Sequence, residues 1–215
     1  MPPLVSIVGE SSVGKTTLLE KLVRELKSRG YRVATIKHSA HDVILDRPDK
    51  DSWRHILAGS EATAISSPKG IVLVKPTGSE ISIEEIGRLL GEDYDLIITE
   101  GFKQGSAPKI EVHRREAGPP LSTVKKIIAI VTDEPLATTT RQFALEDIKG
   151  LADFLEESFI EPQRERASLY INNTAIPLSS FPREFIASVM LGMLSALKGV
   201  GKVHSLDFSL RKKRD

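Results

Sequence analysis

The sequence contains no cysteine, and only 5% of its residues are aromatic, with a single tryptophan. The lack of cysteine excludes disulfides, thiolate metal sites and cysteine nucleophiles, and it agrees with a cytoplasmic protein. An excess of one charge is lacking too, because 30 basic and 29 acidic residues leave a formal net charge of +1. Composition therefore gives no indication of nucleic acid as a partner.

Long hydrophobic runs are also missing. The longest apolar stretch, Phe185 to Leu197, is shorter than the roughly 20 residues of a membrane-spanning helix, and polar residues interrupt it. The first six residues lack the basic and apolar segments of a signal peptide. We therefore expect no membrane partner. The 40% hydrophobic and 27% charged composition is typical of a globular protein.

What the sequence does contain is a phosphate-binding loop. Residues 9–16, GESSVGKT, match the pattern G-x-x-x-x-G-K-[ST] at every fixed position. An apolar run from Leu4 to Val8 precedes the loop, and apolar residues at helical spacing follow it from Leu18 to Leu26. Strand, loop and helix therefore occur in the order that such a site requires.

The chemistry of the loop follows from this order. Glycines let the backbone approach an anion, and the backbone N–H groups at the start of the helix face that anion. Lys15 can reach the β- and γ-phosphates, where it would also assist catalysis, and the Thr16 hydroxyl can bind Mg²⁺. The predicted nucleotide contacts in this stretch are Gly9, Glu10, Ser11, Ser12, Val13, Gly14, Lys15, Thr16 and Thr17.

Strands alternate with helices over residues 1–163. Apolar strands are predicted at 31–36, 95–99 and 127–131, an alternating strand at 109–114, and a pair of neighbouring strands at 62–66 and 71–75. Helices are predicted near 51–58, 82–90 and 145–155. The pattern predicts an α/β, P-loop NTPase-like three-layer fold with a mainly parallel sheet.

Residues 164–215 read as a small C-terminal ββαβ extension of unknown role. A hairpin over 168–178, a helix from Ser180 towards Gly199 and a last strand over 203–208 are predicted. We therefore expect a nucleotide-binding domain over 1–163, followed by this extension.

Polar residues follow four of the predicted strands: the phosphate loop, Lys37-His38, Glu100-Gly101 and Thr132-Asp133. Ligands bind outside the carboxyl ends of parallel strands, so all four should line one crevice. Glu100 is predicted to hold Mg²⁺ with Thr16, or to polarise the attacking water in a catalytic role. Gly101 would let the backbone approach a γ-phosphate. Asp133 is interpreted either as a reader of guanine, accepting from two adjacent donors, or as a turn cap.

Cations near the predicted crevice suggest a second, anionic ligand. Lys37, His38, Arg54 and Lys103 are the candidates for its surface, and Lys109 and Arg114 add positive charge. His38 and His41 are alternatively spaced for a metal site. We see no Arg in or directly beside the phosphate loop, which predicts slow hydrolysis unless a partner supplies one.

These residues resemble the molybdopterin-guanine dinucleotide biosynthesis adaptor protein B (MobB) family. Five stretches carry the resemblance over the chain to about residue 160: Gly9 to Thr17, Lys37 to His41, Lys50 to His55 with Ala58-Gly59, Glu100 to Lys103, and Lys109 to Arg114. Two features depart from the family pattern. Asp49 stands where the family commonly has Gly, and the segment after about residue 165 lies outside the family core.

The resemblance implies a fold similar to the signal-recognition and MinD class of P-loop proteins. It implies a homodimeric adaptor that binds GTP with Mg²⁺, hydrolyses GTP weakly and assists the molybdopterin guanylyltransferase. Molybdoenzyme targets are further implied partners, and molybdopterin or its guanine dinucleotide is the implied second ligand. Two alternatives remain open: a P-loop kinase for a small metabolite, and a nucleotide-gated metallochaperone.

Overall fold

The computed structural model describes residues 1–39, 50–163, 167, 169–171, 174–176, 178–199, 201–203, 206 and 208. The chain divides into two compact units, Met1–Arg164 and Glu165–Asp215. Asp49 and His41 lie outside the described residues.

The first unit is built on a six-stranded sheet. Its strands are β1 (Leu4–Val8), β2 (Val33–Lys37), β5 (Leu96–Glu100), β6 (Lys109–His113), β7 (Ile127–Thr132) and β8 (Arg141–Ala144), and a separate hairpin is formed by β3 (Thr63–Ser67) and β4 (Gly70–Val74). The sheet order is β2-β5-β1-β6-β7-β8, and every neighbouring pair in it is parallel. Parallel strands end at one edge, which places the loops after them together.

Helices cover both faces of this sheet, as the sequence predicts. The helices of the unit are α1 (Lys15–Ser28), α2 (Asp51–Leu57), α3 (Ile83–Leu90) and α4 (Ile148–Leu155), which a π-helical turn (Glu156–Ile160) continues. On one face, Leu22 and Leu26 of α1 pack with Leu151 of α4, and all three are fully buried. Burial of each such leucine stabilises the folded state by about 1.5–3 kcal/mol. On the other face, Ile83 of α3 packs with Ile97. This arrangement is the predicted three-layer α/β fold.

One strand was not predicted from the sequence. In β8 only Phe143 is buried, and its neighbours are polar or exposed, so a four-residue edge strand gives no apolar pattern. The helix after it begins at Ile148, later than predicted, because the Asp147 side chain caps it by accepting from the Gly150 N–H. Leu145 therefore belongs to the loop between β8 and α4, and its inclusion in the helix was wrong.

Strand β6 is buried along its whole length, including three polar residues. Its sequence alternates polar and apolar, which is typical of a strand with one wet face, yet Lys109, Glu111 and His113 are at most 4% exposed. Lys109 donates to the carbonyl oxygens of Gly105 and Ala107 at 2.6 and 2.9 Å. It begins β6, at the opposite end from the phosphate loop, so its predicted place among the cations of the crevice was wrong.

Glu111 has an incomplete set of hydrogen bonds in the interior. One carboxylate oxygen accepts from the Leu121 N–H at 2.7 Å, and the other is buried with no hydrogen-bond partner among the described residues. Burial is the main cause that raises the pKa of Glu111, against smaller opposing effects of the Leu121 N–H and His113. The folded state therefore favours the protonated carboxyl. Its stabilising contribution is present below the unfolded pKa and is lost as pH rises through the folded pKa.

Glu111→Gln should consequently stabilise the protein above the folded pKa of Glu111. Because an amide cannot ionise, the gain in the free energy of unfolding should be about 1.4 kcal/mol for each unit by which burial raises that pKa. The gain should shrink as pH falls towards 4. Urea unfolding at several pH values measures it, with the exposed Glu116→Gln as control. A gain that does not depend on pH would contradict this account of Glu111.

The β3–β4 hairpin stands apart from the main sheet. Its strands pair antiparallel, from Thr63 with Val74 to Ser67 with Gly70, as the sequence predicts. It carries apolar side chains at the surface, among them Ile71 at 74% and Leu73 at 45% exposure. The hairpin therefore presents an apolar surface.

The second unit contains a hairpin of β9 (Leu169–Ile171) and β10 (Thr174–Ile176), followed by α5 (Ser180–Ser195). Hairpin and helix match the predicted start of the extension, while half of the predicted strand at 203–208 falls outside the described residues. Helix α5 leaves Phe181, Phe185 and Met193 exposed. In the part of the chain that the structure describes, no helix has the length and apolar character needed to cross a membrane.

Candidate nucleotide-binding site

The phosphate loop lies between β1 and α1 and depends on two glycines with positive φ. Gly9 has φ +153°, and a Cβ there would lie 2.4 Å from the carbonyl oxygen of Val112 on β6. Gly14 has φ +98° at the N-cap of α1, where a residue with a Cβ would be strained. The buried Val13 anchors the loop, while Glu10, Ser11 and Ser12 are exposed. The loop therefore presents backbone to solvent at the start of a helix, as an anion site requires.

Lys15 lies across this loop. Its ammonium group donates to the carbonyl oxygen of Glu10 at 2.6 Å. Burial lowers the pKa of Lys15, and Lys103 acts in the same direction, while Glu100 opposes it. A phosphate at the loop would replace the carbonyl with a charged partner for this ammonium, which is the role predicted for Lys15.

Glu100 and Thr16 meet at the edge of the loop. The Thr16 hydroxyl lies 3.0 Å from both carboxylate oxygens of Glu100. Glu100 ends β5, which pairs with β1 on one side and β2 on the other, so the register brings Lys37 beside it. The Lys37 ammonium lies 3.7 Å from the carboxylate. The structure thus joins three of the predicted site residues.

The donor set of Thr16 and Glu100 fits Mg²⁺, because a hydroxyl and a carboxylate are the hard oxygen ligands that this ion prefers. Bound Mg²⁺ would neutralise charge on the β- and γ-phosphates. Among the described residues, no group of three or more His, Asp or Glu side chains could hold a metal through protein ligands alone. The alternative site of His38 with His41 lies partly outside those residues.

Backbone hydrogen bonds join the segment after β5 to β1, and the segment after β2 to the end of β5. The Gly101 N–H donates to the carbonyl oxygen of Ile7 at 3.0 Å, and the His38 N–H donates to that of Glu100 at 3.0 Å. Gly101 has φ +102°, and a Cβ there would touch the His38 side chain at 3.0 Å. The close approach of these two loops therefore requires a small residue at position 101.

The predicted cations are only partly brought together. Lys103 pairs with Glu10 of the loop at 3.2 Å, and the His38 ring packs on Phe102 with centroids 4.7 Å apart. Arg54 is different, because it pairs with Asp51 within α2 at 3.5 Å and is largely exposed. No contact joins Arg54 to the loop within the described ranges.

Arg114 lies directly beside the loop, so the expectation that no Arg does so was wrong. Its Nε donates to the carbonyl oxygen of Val13 at 2.9 Å, and its guanidinium would face a Cβ on Gly14 at 3.7 Å. The residue follows β6, the neighbour of β1. The rule that located Lys37 and Glu100, a polar residue just past a parallel strand, also applies to Arg114 and could have placed it at the same edge of the sheet as the loop.

Asp133 contacts the segment after β6 through its carboxylate, and its interpretation as a turn cap stays a prediction. Its carboxylate accepts from the Arg115 N–H at 3.0 Å, and its other oxygen lies 3.7 Å from the Arg114 guanidinium. Asp133 is thereby linked to the loop through Arg114. Its second interpretation, the reading of guanine, stays a prediction.

A recess of about 70 Å³ opens on the Arg114 side of the loop. Thr17 and Lys21 of α1 line one wall, and Leu145 and Glu146 line another. The Lys21 ammonium lies 2.6 Å from the Glu146 carboxylate. No sequence pattern predicts this recess, because Glu146 follows the strand that was not predicted.

The comparisons with known proteins agree with this geometry. The profile of the family "MobB: Molybdopterin guanine dinucleotide synthesis protein B" matches residues 4–133. The molybdopterin-guanine dinucleotide biosynthesis adapter protein of Haemophilus influenzae is 38% identical over 72% of this chain and 88% of its own length. A crystal structure of molybdopterin-guanine biosynthesis protein B has a TM-score of 0.54 and 31% identity, covering 72% of this chain and 98% of that one.

The C-terminal extension has a counterpart as well. A putative molybdopterin-guanine dinucleotide biosynthesis adapter protein of Methanocaldococcus jannaschii is 23% identical over 92% of both chains. A match of that extent must continue well into the second unit. Sequence, sheet order and phosphate loop together show that this chain belongs to the MobB family of molybdopterin-guanine dinucleotide synthesis proteins.

Proposed function

We propose that this protein is a GTP-binding adaptor in molybdenum cofactor biosynthesis that assists the molybdopterin guanylyltransferase. The family gives the adaptor role in formation of the guanine dinucleotide. The observation that carries the nucleotide part is the contact of Thr16 with Glu100 at 3.0 Å beside Lys15. A phosphate cradle, a cation and two Mg²⁺ ligands are the parts that a nucleoside triphosphate needs.

In this proposal Lys15 and the loop N–H groups bind the phosphates, while Thr16 and Glu100 hold Mg²⁺. Glu100 also orients the attacking water in a slow hydrolysis. Support comes from the parallel register, which sets the carboxylate of Glu100 beside both the loop and Lys37. Residues 1–163 form the nucleotide-binding domain in this proposal, and no role is assigned to the extension at 164–215.

A second anionic ligand, molybdopterin or its guanine dinucleotide, would bind next to the phosphate site. Lys37 pairs with Glu100 and Lys103 with Glu10, and the His38 ring packs on Phe102. These groups support a cationic surface adjoining the nucleotide. Arg54 completes the proposed set only if α2 approaches the ligand, since its present partner is Asp51.

We also propose that the protein is a cytoplasmic homodimer that hands its product to molybdoenzyme targets. The β3–β4 hairpin supports the dimer, because Ile65, Ile71, Val72 and Leu73 expose apolar side chains on a sheet to which no third strand pairs within the described residues. A second copy would cover them and pair an open edge.

Hydrolysis by the protein alone should be slow, well below about 1 s⁻¹, the low end of typical enzyme turnover. Arg114 is bound to the Val13 carbonyl on the side of β1 away from Glu100, so it is not placed to stabilise charge at the γ-phosphate. An Arg at that position accelerates hydrolysis by roughly 10³–10⁵ where one exists. A phosphate-release assay on GTP, without and with the guanylyltransferase, measures the rate.

Two outcomes of this assay would count against the adaptor function: fast hydrolysis by the isolated protein, or no effect of either protein on the other's reaction rate. A small phosphorylated metabolite found bound to the purified protein by mass spectrometry would instead favour a kinase. A nucleotide-gated metallochaperone would bind a transition metal stoichiometrically in a direct titration.

A further inference from the structure

The proposed metal ligands, Thr16 and Glu100, define which end of the site would hold the terminal phosphate and which the nucleoside. Thr16 and Glu100 would hold Mg²⁺ against the outer phosphates of a bound nucleotide, so its terminal phosphate would lie towards Glu100 on β5. Strand β5 lies on one side of β1, and β6, β7 and β8 lie on the other. A triphosphate cradled by the loop must therefore direct its nucleoside away from Glu100, towards Arg114 and the loop after β8.

The recess described above lies at that end. It adjoins Gly14 and Thr17, where the phosphate loop becomes α1, and it is closed by Arg114, Leu145 and Glu146. It combines an apolar side chain, a guanidinium and a carboxylate. Such a mixture suits a nucleobase, which has flat apolar faces and polar edges.

We propose that this recess binds the nucleoside half of the nucleotide, with the Glu146 carboxylate reading guanine and Arg114 packing against the ring. The inference rests on the proposed function, since it assumes that a nucleotide occupies the loop. It names the residues that select the base, and it assigns that selection to Glu146 rather than to Asp133.

The chemistry of Glu146 favours guanine over adenine. A carboxylate accepts two hydrogen bonds at once, and guanine presents its N1–H and N2–H as adjacent donors. Adenine has an acceptor at N1 beside the donor at N6, so the same carboxylate faces one repulsive contact. Asp133 is less available for this task, because its oxygens already face the Arg115 N–H and the Arg114 guanidinium.

Binding requires the ion pair between Glu146 and Lys21 to open. The recess of about 70 Å³ is smaller than a purine, and the pair lies across it. The Glu146 side chain is 81% exposed, and pairs so exposed to water contribute little to stability. The carboxylate is therefore free to turn towards a base.

In contrast to the exposed Glu146 carboxylate, the Arg114 guanidinium is held in place. Its Nε is bound to the Val13 carbonyl, and Asp133 lies 3.7 Å from its Nη1, which leaves the flat guanidinium as a fixed wall of the recess. Guanidinium planes stack on aromatic rings. Asp133 thus acts as a positioning residue for Arg114.

Calorimetric titration of the full chain with GTP, ATP and inorganic tripolyphosphate, each with Mg²⁺, tests the proposal. Glu146→Gln should lower the affinity for GTP roughly tenfold, leave that for tripolyphosphate unchanged and raise or keep that for ATP, because the repulsive contact with adenine is removed. Glu20→Gln, an exposed carboxylate on the same helix as Lys21, is the matched control. Lys21→Met breaks the ion pair but keeps the Glu146 carboxylate, so it should not lower the affinity for GTP.

Three results would overturn the assignment. The first is equal loss of GTP and ATP affinity in Glu146→Gln, and the second is the same GTP loss in Lys21→Met, which would reduce Glu146 to a structural partner. The third is a GTP-selective loss in Asp133→Asn with none in Glu146→Gln. Tripolyphosphate binding that depends on Lys15 would show in each case that the phosphate site itself stands. If neither nucleotides nor tripolyphosphate bind, the proposed function fails together with this inference.

Discussion

Lys15→Ala should lower the affinity for GTP by roughly tenfold to a hundredfold while the protein stays folded. The substitution removes a hydrogen bond from a charged donor to phosphate, an interaction of about 1.5–3 kcal/mol. The ammonium already lies across the loop, 2.6 Å from the Glu10 carbonyl, so it needs little rearrangement to reach a phosphate. Calorimetric titration with GTP and Mg²⁺ measures the loss.

Lys27→Ala is the matched control for this variant, because Lys27 is an exposed lysine on the last turn of the same helix. It should bind GTP as the parent protein does. Thermal unfolding of both variants checks that the fold survives. Equal GTP affinity in Lys15→Ala and the parent would show that this loop is not the nucleotide site.

Glu100→Ala should remove most of the effect of Mg²⁺ on GTP binding. Glu100 contacts the Thr16 hydroxyl through both oxygens, so its loss takes away one proposed metal ligand and the partner of the other. Residues that orient a ligand to a metal typically contribute 10–100-fold in metal affinity, and a ligand itself should contribute at least as much. Without Mg²⁺ the variant should bind GTP no worse than the parent, because a negative charge near the phosphates is gone.

Titrations with GTP across a range of Mg²⁺ concentrations test this prediction. Glu20→Ala, an exposed carboxylate on α1, controls for the change in net charge. If Glu100→Ala shows the same dependence on Mg²⁺ as the parent protein, then Glu100 neither holds nor orients the metal, and its contact with Thr16 is only structural.

The elements that were predicted correctly are those whose structure follows from a single local sequence pattern. The continuous apolar runs of β1, β5 and β7 predict strands covered on both faces, and the structure has those strands parallel with helices on either side. Parallel strands end at one edge, so Lys37 and Glu100 could be placed at the phosphate loop before any contact was known. The helix predicted near 82–90 is also confirmed. The Ser82 hydroxyl caps it by accepting from the Glu85 N–H.

The failures have physical reasons of their own. The alternation in β6 indicates a solvent-exposed face, but several other segments bury it. Leu121 supplies a backbone donor to Glu111, and Glu134 lies beside His113. That burial depends on contacts between segments, which periodicity cannot report. Arg114 was known to follow a strand, yet its approach to Val13 depends on β6 lying next to β1. Strand order is a property of the whole sheet.

The recess around Glu146 was missed for a related reason. Its walls come from α1, β6 and the loop after β8, three segments distant in sequence. Strand β8 is a short edge strand with one buried side chain. Its composition therefore does not predict a strand, and the loop after it could not be placed at the edge of the sheet. Sites assembled from loops after weakly patterned strands are the ones that sequence reading will miss.

The central claim is that nucleotide held by this loop serves the formation of the guanine dinucleotide. It is tested most directly by reconstitution of the molybdopterin guanylyltransferase with molybdopterin, Mg²⁺ and GTP at limiting concentration, with the rate of dinucleotide formation as the readout. We expect the parent protein to raise that rate, Lys27→Ala to raise it equally, and Lys15→Ala to raise it little or not at all. An equal rate with Lys15→Ala, or no increase with the parent protein, would contradict the claim.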